Sequence, residues 1–213
     1  MRFRRKATQD EGSTETQVAA EESTDGATPA AGSGPFDEAD VRGDDVQRVD
    51  LGSLLVPPLA DRELRLTVDE ATKAVRAVVL AGPDGALEFQ AFAAPRNGDL
   101  WSTVRPQIAD DITNRGGTVT ERDGRWGTEL VCQVPVQRPD GTKATQPSRI
   151  IGINGPRWML RASLLGRPAV ESEGSEVWED ALAQLVVRRG DGAMPVGEPL
   201  PIKLPDDARR IDG

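Results

Sequence analysis

The chain has 213 residues and a formal net charge of −9, from 26 lysines and arginines and 35 acidic residues, and it contains no histidine or tyrosine. The lack of histidine excludes Ser-His-Asp and Cys-His catalysis, imidazole-ligated metals and histidine general-base chemistry. The single cysteine, Cys132, excludes an intrachain disulfide and a thiolate zinc cage, and fits a reducing compartment. We therefore expect no cofactor and no metal.

The acidic charge is concentrated near the amino terminus. Between Ala7 and Asp45 there are eleven acidic residues, one basic residue (Arg42) and one aromatic residue (Phe36). Counted whole, residues 1–45 hold eleven acids against five bases, a charge of −6, so the remaining residues carry −3 of the total −9. Such a segment buries too little apolar surface to offset its ordering entropy. We predict a disordered acidic arm over residues 1–45.

The near-neutral remainder of the chain gives no general electrostatic attraction to DNA or RNA, which argues against a nucleic-acid partner. The basic stretch Arg2 to Lys6 is followed by polar residues, and not by the apolar run of a secretory signal. No stretch approaches the roughly 20 apolar residues that a membrane helix needs. We therefore expect a cytoplasmic protein without membrane contact, and the sequence leaves its oligomeric state open.

The first half of the predicted domain reads as three strands. Alternation favours a strand from Leu64 to Val68, an apolar run favours one from Val75 to Ala81, and alternation favours another from Leu87 to Ala93. Turn residues separate the second strand from the third, at Gly82 to Gly85. These segments predict an antiparallel meander.

A helix is predicted next, from Leu100 to Arg115, with Asp99 as its N-cap. Pro106 is discordant, because proline in a helix removes one backbone hydrogen bond. We expect either a bend or a start near Arg105.

The second half reads as four strands, a helix and a tail. Strands are predicted at Thr118 to Glu121 and Thr128 to Val136, followed by a hairpin from Pro147 to Gly166 that turns at Asn154-Gly155, the strongest short-range hairpin signal. Ser175 is predicted to cap a second helix. Residues 191–213 are predicted to form an extended proline-rich tail, either laid over the domain or left free.

This order predicts a single α+β domain over residues 46–190. We expect an antiparallel sheet of about six to seven strands, with the Asn154-Gly155 hairpin at its centre and two main helices packed on one face. In the last hairpin strand, Trp158 and Leu160 point to one face, and Arg157 and Arg161 point to the other.

Five residues are candidates for a binding site. Trp126 lies in a turn beside Arg125, as an exposed hot spot would, although local packing is the simpler interpretation. If the helices cover one face of the sheet, the other face presents Arg157 and Arg161 to water or to a partner, and Arg149 precedes them in the hairpin. Ordinary solvation is the alternative for these arginines.

Other residue types offer little chemistry. Cys132 alternates in phase with Leu130 and Val134, which favours a buried side chain over a reactive thiol. The acid pairs Asp110-Asp111 and Glu179-Asp180 each lie on a predicted helix, where neighbours diverge by about 100°. Neither pair forms a chelating site alone, and an acid–base role would also need a cleft.

Several ordered segments closely resemble the bacterial domain of unknown function 3710 family, from about Gly34 to Pro205. The segments are GPFDEAD, RVDLGSLLVP, LEFQAFAAPRNGDLW, GGTV, GTELVCQVPV, RIIGINGPRWMLR and VVRRGDGAMPVGEPLPIKLP. The resemblance implies an origin among high-GC Gram-positive bacteria and transfers no catalytic residue, because the family has no assigned activity. Pro106 departs from the helix-compatible residues of the family. The strand and helix order is also similar to the PsbP-like α/β/α sandwich, an analogy that says nothing of function.

We expect a non-enzymatic cytoplasmic binding or accessory protein whose partner is another protein. One alternative is a carboxylate-dependent hydrolase, which requires a pocket with converging acids. A second is a weak nucleic-acid binder, using Arg96, Arg149, Arg157 and Arg161 on an exposed sheet face.

Overall fold

The computed structural model describes residues 34–205, except for residues 70, 73, 139, 172 and 173. It contains two α-helices, α1 (Leu100–Asn114) and α2 (Ser175–Ala183), and two short 3-10 helices, Glu38–Val41 and Arg167–Ala169. The strands are β1 (Phe36–Asp37), β2 (Val49–Asp50), β3 (Leu54–Val56), β4 (Glu63–Val68), β5 (Val75–Ala81), β6 (Gly85–Ala93), β7 (Thr118–Gly124), β8 (Gly127–Gln137), β9 (Lys143–Gly155), β10 (Trp158–Gly166) and β11 (Val186–Val187).

Seven of these strands form one antiparallel sheet, in the order β4-β5-β6-β10-β9-β8-β7. The predicted meander is its first half, β4 to β6, and the predicted hairpin is β9–β10, with β10 fourth of the seven strands. The α+β class and the antiparallel sheet around a central hairpin are therefore confirmed. A second sheet of four short strands, in the order β1-β11-β3-β2, is an additional feature.

The hairpin turns two residues later than its sequence suggested. Gly155 pairs with Trp158, and Asn154 pairs with Met159, so the turn residues are Pro156 and Arg157. Arg157 has a φ of 62°. Proline fixes the first turn position and a positive φ at the second follows, the pattern of a type II turn. Gly155 belongs to the strand because the Trp158 ring covers it: a Cβ there would lie 2.1 Å from a ring carbon.

The two helices lie on opposite faces of the large sheet, so the prediction that both pack on one face is wrong. Trp101 of α1 belongs to the same apolar cluster as Met159, whereas Trp178 of α2 belongs to the cluster of Trp158 and Leu160. Consecutive strand residues point to opposite faces. The central strands carry apolar side chains at both alternating positions, and therefore both faces need cover.

Helix α1 begins at Leu100, as predicted, and continues through Pro106. The Asp99 side chain accepts a hydrogen bond from the backbone N–H of Ser102 (2.9 Å) and acts as the N-cap. The late start near Arg105 is therefore wrong, because the cap fixes the first turn before the proline is reached. Helix α2 begins at Ser175 itself, so the capping position falls on Gly174.

Part of the predicted arm is folded. Phe36 and Asp37 form β1, which pairs in parallel with β11, and the backbone N–H of Phe36 donates to the carbonyl of Leu185 (2.9 Å). The Trp158 indole N–H donates to the Asp37 carboxylate (2.9 Å). The prediction of disorder is therefore wrong from Phe36 to Val41, since these contacts join the stretch to the core. Residues 1–33 of the predicted arm lie outside the described residues.

The carboxyl-terminal segment lies against the domain as far as it is described. The backbone N–H of Gly197 donates to Ala93 (2.8 Å), that of Leu200 to Ala91 (2.8 Å), and that of Lys203 to Leu51 (2.9 Å). Of the two predicted arrangements of the tail, residues 191–205 therefore adopt the one that lies over the domain. Residues 206–213 lie outside the described residues.

Candidate functional site

Arg149 is a structural residue and not part of an exposed face. It is 3% exposed, and its guanidinium pairs with Glu129 (2.9 Å) and with Glu179 of α2. Arg122 also pairs with Glu129 (2.6 Å), which is 1% exposed. Buried carboxylates need such partners, because an unpaired buried charge is costly. The arrangement joins β7, β8 and β9 to α2.

Trp126 is buried, so the expectation of an exposed hot spot is wrong. The side chain is 6% exposed, and its indole N–H donates to the carbonyl of Gly34 (2.7 Å). Its neighbour Arg125 stacks over the ring, 5.0 Å from the centroid, and pairs with Asp180 of α2 (2.8 Å). Local packing, the simpler of the two interpretations, accounts for this pair.

Arg157 lies in the hairpin turn and supports the carboxyl-terminal segment. Its guanidinium donates to the carbonyl of Gly190 (2.9 Å), and its own carbonyl accepts from the backbone N–H of Ala94 (2.9 Å) and the Arg189 side chain (3.2 Å). Arg157 and Arg161 therefore do not form one arginine face. Of the five sequence candidates, Arg161 alone faces an open groove.

This groove lies between α1 and the face of the large sheet that α1 covers, and we call it the α1 groove. Its volume is about 480 Å³. Apolar side chains form most of its walls and floor: Phe92, Leu100, Val104, Ile108, Ile112, Val134, Ile150, Met159 and Leu165. Polar and charged side chains lie among them: Glu88, Gln107, Asp111, Arg115, Gln146, Ser148, Arg161 and Ser163.

Arg161 lies on the floor of the α1 groove, in the middle of β10, between Gln90 of β6 and Gly152 of β9 in the strand register. Its guanidinium packs over the Phe92 ring, 5.2 Å from the centroid. Burial lowers the pKa of Arg161, and the charge of Glu88 offsets part of this effect. Among the described residues, no carboxylate lies within 4.0 Å of this guanidinium, and it donates no hydrogen bond to them.

The other charges of the α1 groove are mostly neutralised within the chain. Arg115 pairs with Asp111 one turn earlier in α1 (2.7 Å). Arg105, a residue of α1 outside the groove lining, pairs with Glu121 of β7 (2.9 Å). Arg161 is thus the groove cation that is left without a partner in the part of the chain that the structure describes.

Contacts between α1 and the sheet hold the groove open. Asn154 accepts hydrogen bonds from the backbone N–H groups of Leu100 (3.1 Å) and Trp101 (3.2 Å), and donates to Asp99 (2.7 Å). The hydrogen bonds from Ser102 and Asn154 outweigh desolvation and hold the pKa of Asp99 below its usual value. Helix α1 is therefore anchored at its first turn.

The Trp101 ring presses directly onto the central strands. A Cβ at Gly152 would lie 2.0 Å from a ring carbon, and the indole N–H donates to the carbonyl of Thr128 (2.7 Å). Only glycine leaves room for the ring at that point. Neither this role of Gly152 nor the capping role of Asn154 was predicted from the sequence, where the only signal was a glycine inside a strand pattern.

The structure also bears on the other chemistry considered from sequence. Glu179 and Asp180 each pair with an arginine, and no group of three or more described acids or cysteines could hold a metal ion. Cys132 is 1% exposed, which confirms its predicted burial. Within the described residues, no helix has the length and apolar character to cross a membrane.

Comparison with known proteins identifies the family. The family model described as "Protein of unknown function (DUF3710)" matches residues 34–210, and the chain therefore belongs to this family, as its segments indicated. No curated protein matches the chain.

Among solved structures, the chain is similar to a crystal structure of a protein from Bacteroides thetaiotaomicron VPI-5482, with 14% identity and a TM-score of 0.39. The likeness covers 67% of this chain and 48% of the other, so the chain spans about half the length of that protein. A likeness at this level carries no argument about function. The PsbP-like analogy is tested by none of these findings and stays a prediction.

Proposed function

We propose that the protein is a non-enzymatic cytoplasmic binding or accessory protein, and that it binds a segment of another protein in the α1 groove. The observation that supports this proposal is Arg161, a partly buried cation on the floor of an apolar-walled groove, with no acid within 4.0 Å among the described residues. A guanidinium in partly apolar surroundings forms strong paired hydrogen bonds with a carboxylate. A ligand carboxylate that enters the groove would gain this interaction on binding.

The size and composition of the α1 groove suit a binding site. Ligand sites are commonly about 300–1,000 Å³ in volume and mostly apolar, with a few polar groups that fix the ligand's orientation. The groove holds about 480 Å³, with Met159 and Ile108 among its apolar residues and Ser163 among its polar ones. An apolar side chain has room to enter it.

A protein partner fits better than a fully enclosed small molecule. Helix α1 packs on β7, β8 and β9, and the same face of β4, β5 and β6 carries partly or fully exposed side chains such as Arg65, Val79 and Gln90. The groove therefore continues into an open sheet face. Sites for small molecules usually bury most of the ligand's surface, whereas an extended open face can be covered by a second protein.

No observation gives comparable support to the two alternatives, a carboxylate-dependent hydrolase and a weak nucleic-acid binder. The hydrolase alternative needs converging acids, but Asp111 pairs with Arg115 and Glu179 with Arg149. The nucleic-acid alternative needs a shared arginine face, and Arg149 is buried on the α2 side of the sheet. Neither alternative has a set of residues brought together by the fold, so we propose neither.

Site-specific photo-crosslinking in cells tests the proposed site. A photoreactive amino acid replaces Gln107, an exposed residue of α1 at the groove, and in a matched protein it replaces Gln184, an exposed glutamine at the end of α2 on the opposite face. We expect protein adducts from position 107 that are missing from position 184. Cell fractionation of the same samples tests the cytoplasmic location.

A substitution that fills the groove serves as the control. Ser163 lines the floor beside Arg161, so Ser163→Phe should remove the adducts from position 107. Equal adducts from positions 107 and 184, or adducts that survive the Ser163→Phe substitution, would show that the partner does not enter the α1 groove.

A further inference from the structure

The α1 groove also indicates the chemistry of its partner. We infer that it binds a protein segment that inserts an apolar side chain between α1 and β10 and presents a carboxylate to Arg161. This inference rests on the proposed function and names the recognition element within it. The carboxylate is an aspartate or glutamate side chain, or a carboxyl-terminal group, of the partner protein.

Arg161 is the group that would recognise the partner's carboxylate. A guanidinium has a planar set of N–H donors that matches a carboxylate in two parallel hydrogen bonds. In this structure the guanidinium carbon lies over the Phe92 ring, 5.2 Å from its centroid, and the N–H donors have no acceptor among the described residues. Stacking on an aromatic ring and pairing at the N–H edge are compatible, because they use different parts of the group.

The space beside that guanidinium is lined by apolar side chains that would receive the partner's apolar residue. Met159 lies two residues from Arg161 on the same face of β10, a separation of roughly 7 Å along a strand. Ile108 and Ile112 of α1 line the same groove. An apolar side chain of the partner that packs among them lies within one or two residues of the carboxylate that meets Arg161.

Glu88 provides an internal competitor. It pairs in register with Ser163, next to Arg161 on the same face, and its charge acts on the guanidinium without forming an ion pair within 4.0 Å. A partner carboxylate therefore enters against the repulsion of Glu88. Removal of this charge should strengthen the binding of an acidic segment, whereas a structural role for Glu88 would weaken it.

Short blocked peptides test the inference directly. The probes are N-acetylated, C-amidated peptides that contain one phenylalanine and one glutamate one or two positions apart, each matched by a peptide with glutamine in place of glutamate. Binding to the full chain is followed by backbone amide shifts in NMR spectra. We expect shifts in β10 and α1, with binding by the glutamate peptide about tenfold tighter or more, as one charge-assisted hydrogen-bonded pair allows.

Variants assign the effect to Arg161. Arg161→Met should weaken the glutamate peptide to the level of the glutamine peptide, and Glu88→Gln should tighten it. Arg76→Met is the matched control, because Arg76 is an exposed residue paired with Asp69 outside the groove, and it should change nothing.

Three results would overturn the inference: equal affinity for the two peptides, unchanged binding by Arg161→Met, or no shift at the groove up to the solubility limit. These results leave groove-specific crosslinks at position 107 unaffected, so they contradict the carboxylate without contradicting the proposed site. Loss of the crosslinks would contradict the site itself.

Discussion

At the residue scale, three of the arginines singled out from the sequence have two different roles. Arg149 and Arg125 pair with acids of other elements and hold α2 against the sheet. Arg161 lies on an apolar floor without an acid within 4.0 Å among the described residues. Arg149 and Arg161 both lie in apolar strands of the predicted hairpin, and the sequence alone does not tell them apart. Their different roles come from the faces of the sheet that they occupy.

The burial of some individual residues could be predicted from the sequence, and that of others could not. The burial of Cys132 follows from the alternation of its own strand, a local signal. The burial of Trp126 does not, because its hydrogen-bond acceptor, Gly34, lies 92 residues earlier in the chain. Exposure at a turn depends on what folds over the turn, and distant segments decide that.

Cys132 gives a direct test of burial at this scale. Burial raises the pKa of its thiol from 9.0 to about 11. A rise of about two pKa units lowers the thiolate fraction about a hundredfold at pH values below both pKa values. We therefore expect alkylation by iodoacetamide at pH 8 to be at least about a hundredfold slower in the folded protein than in urea. Equal rates would contradict the burial of this side chain.

At the scale of elements, the strands and helices were predictable and the side on which each helix packs was not. Seven strands and two helices follow from alternation, apolar runs and capping residues such as Asp99. Both helices have an apolar stripe, and a stripe does not say which face of the sheet it will meet. The relevant signal was present in the central hairpin, where Ile150 and Ile151 are consecutive and apolar, so that both faces required cover.

The docking of α2 gives a second test. Arg149→Met leaves Glu129 without one of its two arginines, and Glu179 without its only described one. Removing one partner of a buried ion pair typically costs about 3–5 kcal/mol. We expect the free energy of unfolding, from urea titration, to fall by about 3 kcal/mol or more.

Arg161→Met is the informative comparison for that measurement. It removes a partly exposed cation with no ion-pair partner among the described residues, so stability should change by no more than about 1 kcal/mol, the size of the lost contact with Phe92. If Arg149→Met were as mild as Arg161→Met, the assignment of Arg149 to a structural role would be wrong.

At the scale of the whole molecule, two features go beyond what the sequence indicated. The four-stranded sheet uses strands of two or three residues, which are too short to show alternation, and β1 pairs with β11 about 150 residues away. The α1 groove exists because α1 covers only one side of its sheet face. Neither arrangement is visible in any local pattern, since both depend on long-range packing.

The same arrangement connects the fold with the proposed function. The α2 face of the sheet is closed by α2 and a large apolar cluster, and the α1 face is closed only near β7, β8 and β9. The remaining surface joins the α1 groove, with Arg161 at the junction. The proposed partner would cover this surface and bring a carboxylate to Arg161.

The affinity of the groove-crosslinked partner for three forms of the full chain tests this account most directly. Isothermal titration calorimetry would compare the wild-type protein with Arg161→Met and with the control Arg76→Met. Loss of one member of a desolvated ion pair costs about 2 kcal/mol or more, so Kd should rise about 30-fold or more for Arg161→Met and stay unchanged for Arg76→Met. Equal Kd values for the wild-type protein and Arg161→Met would contradict the central role of Arg161.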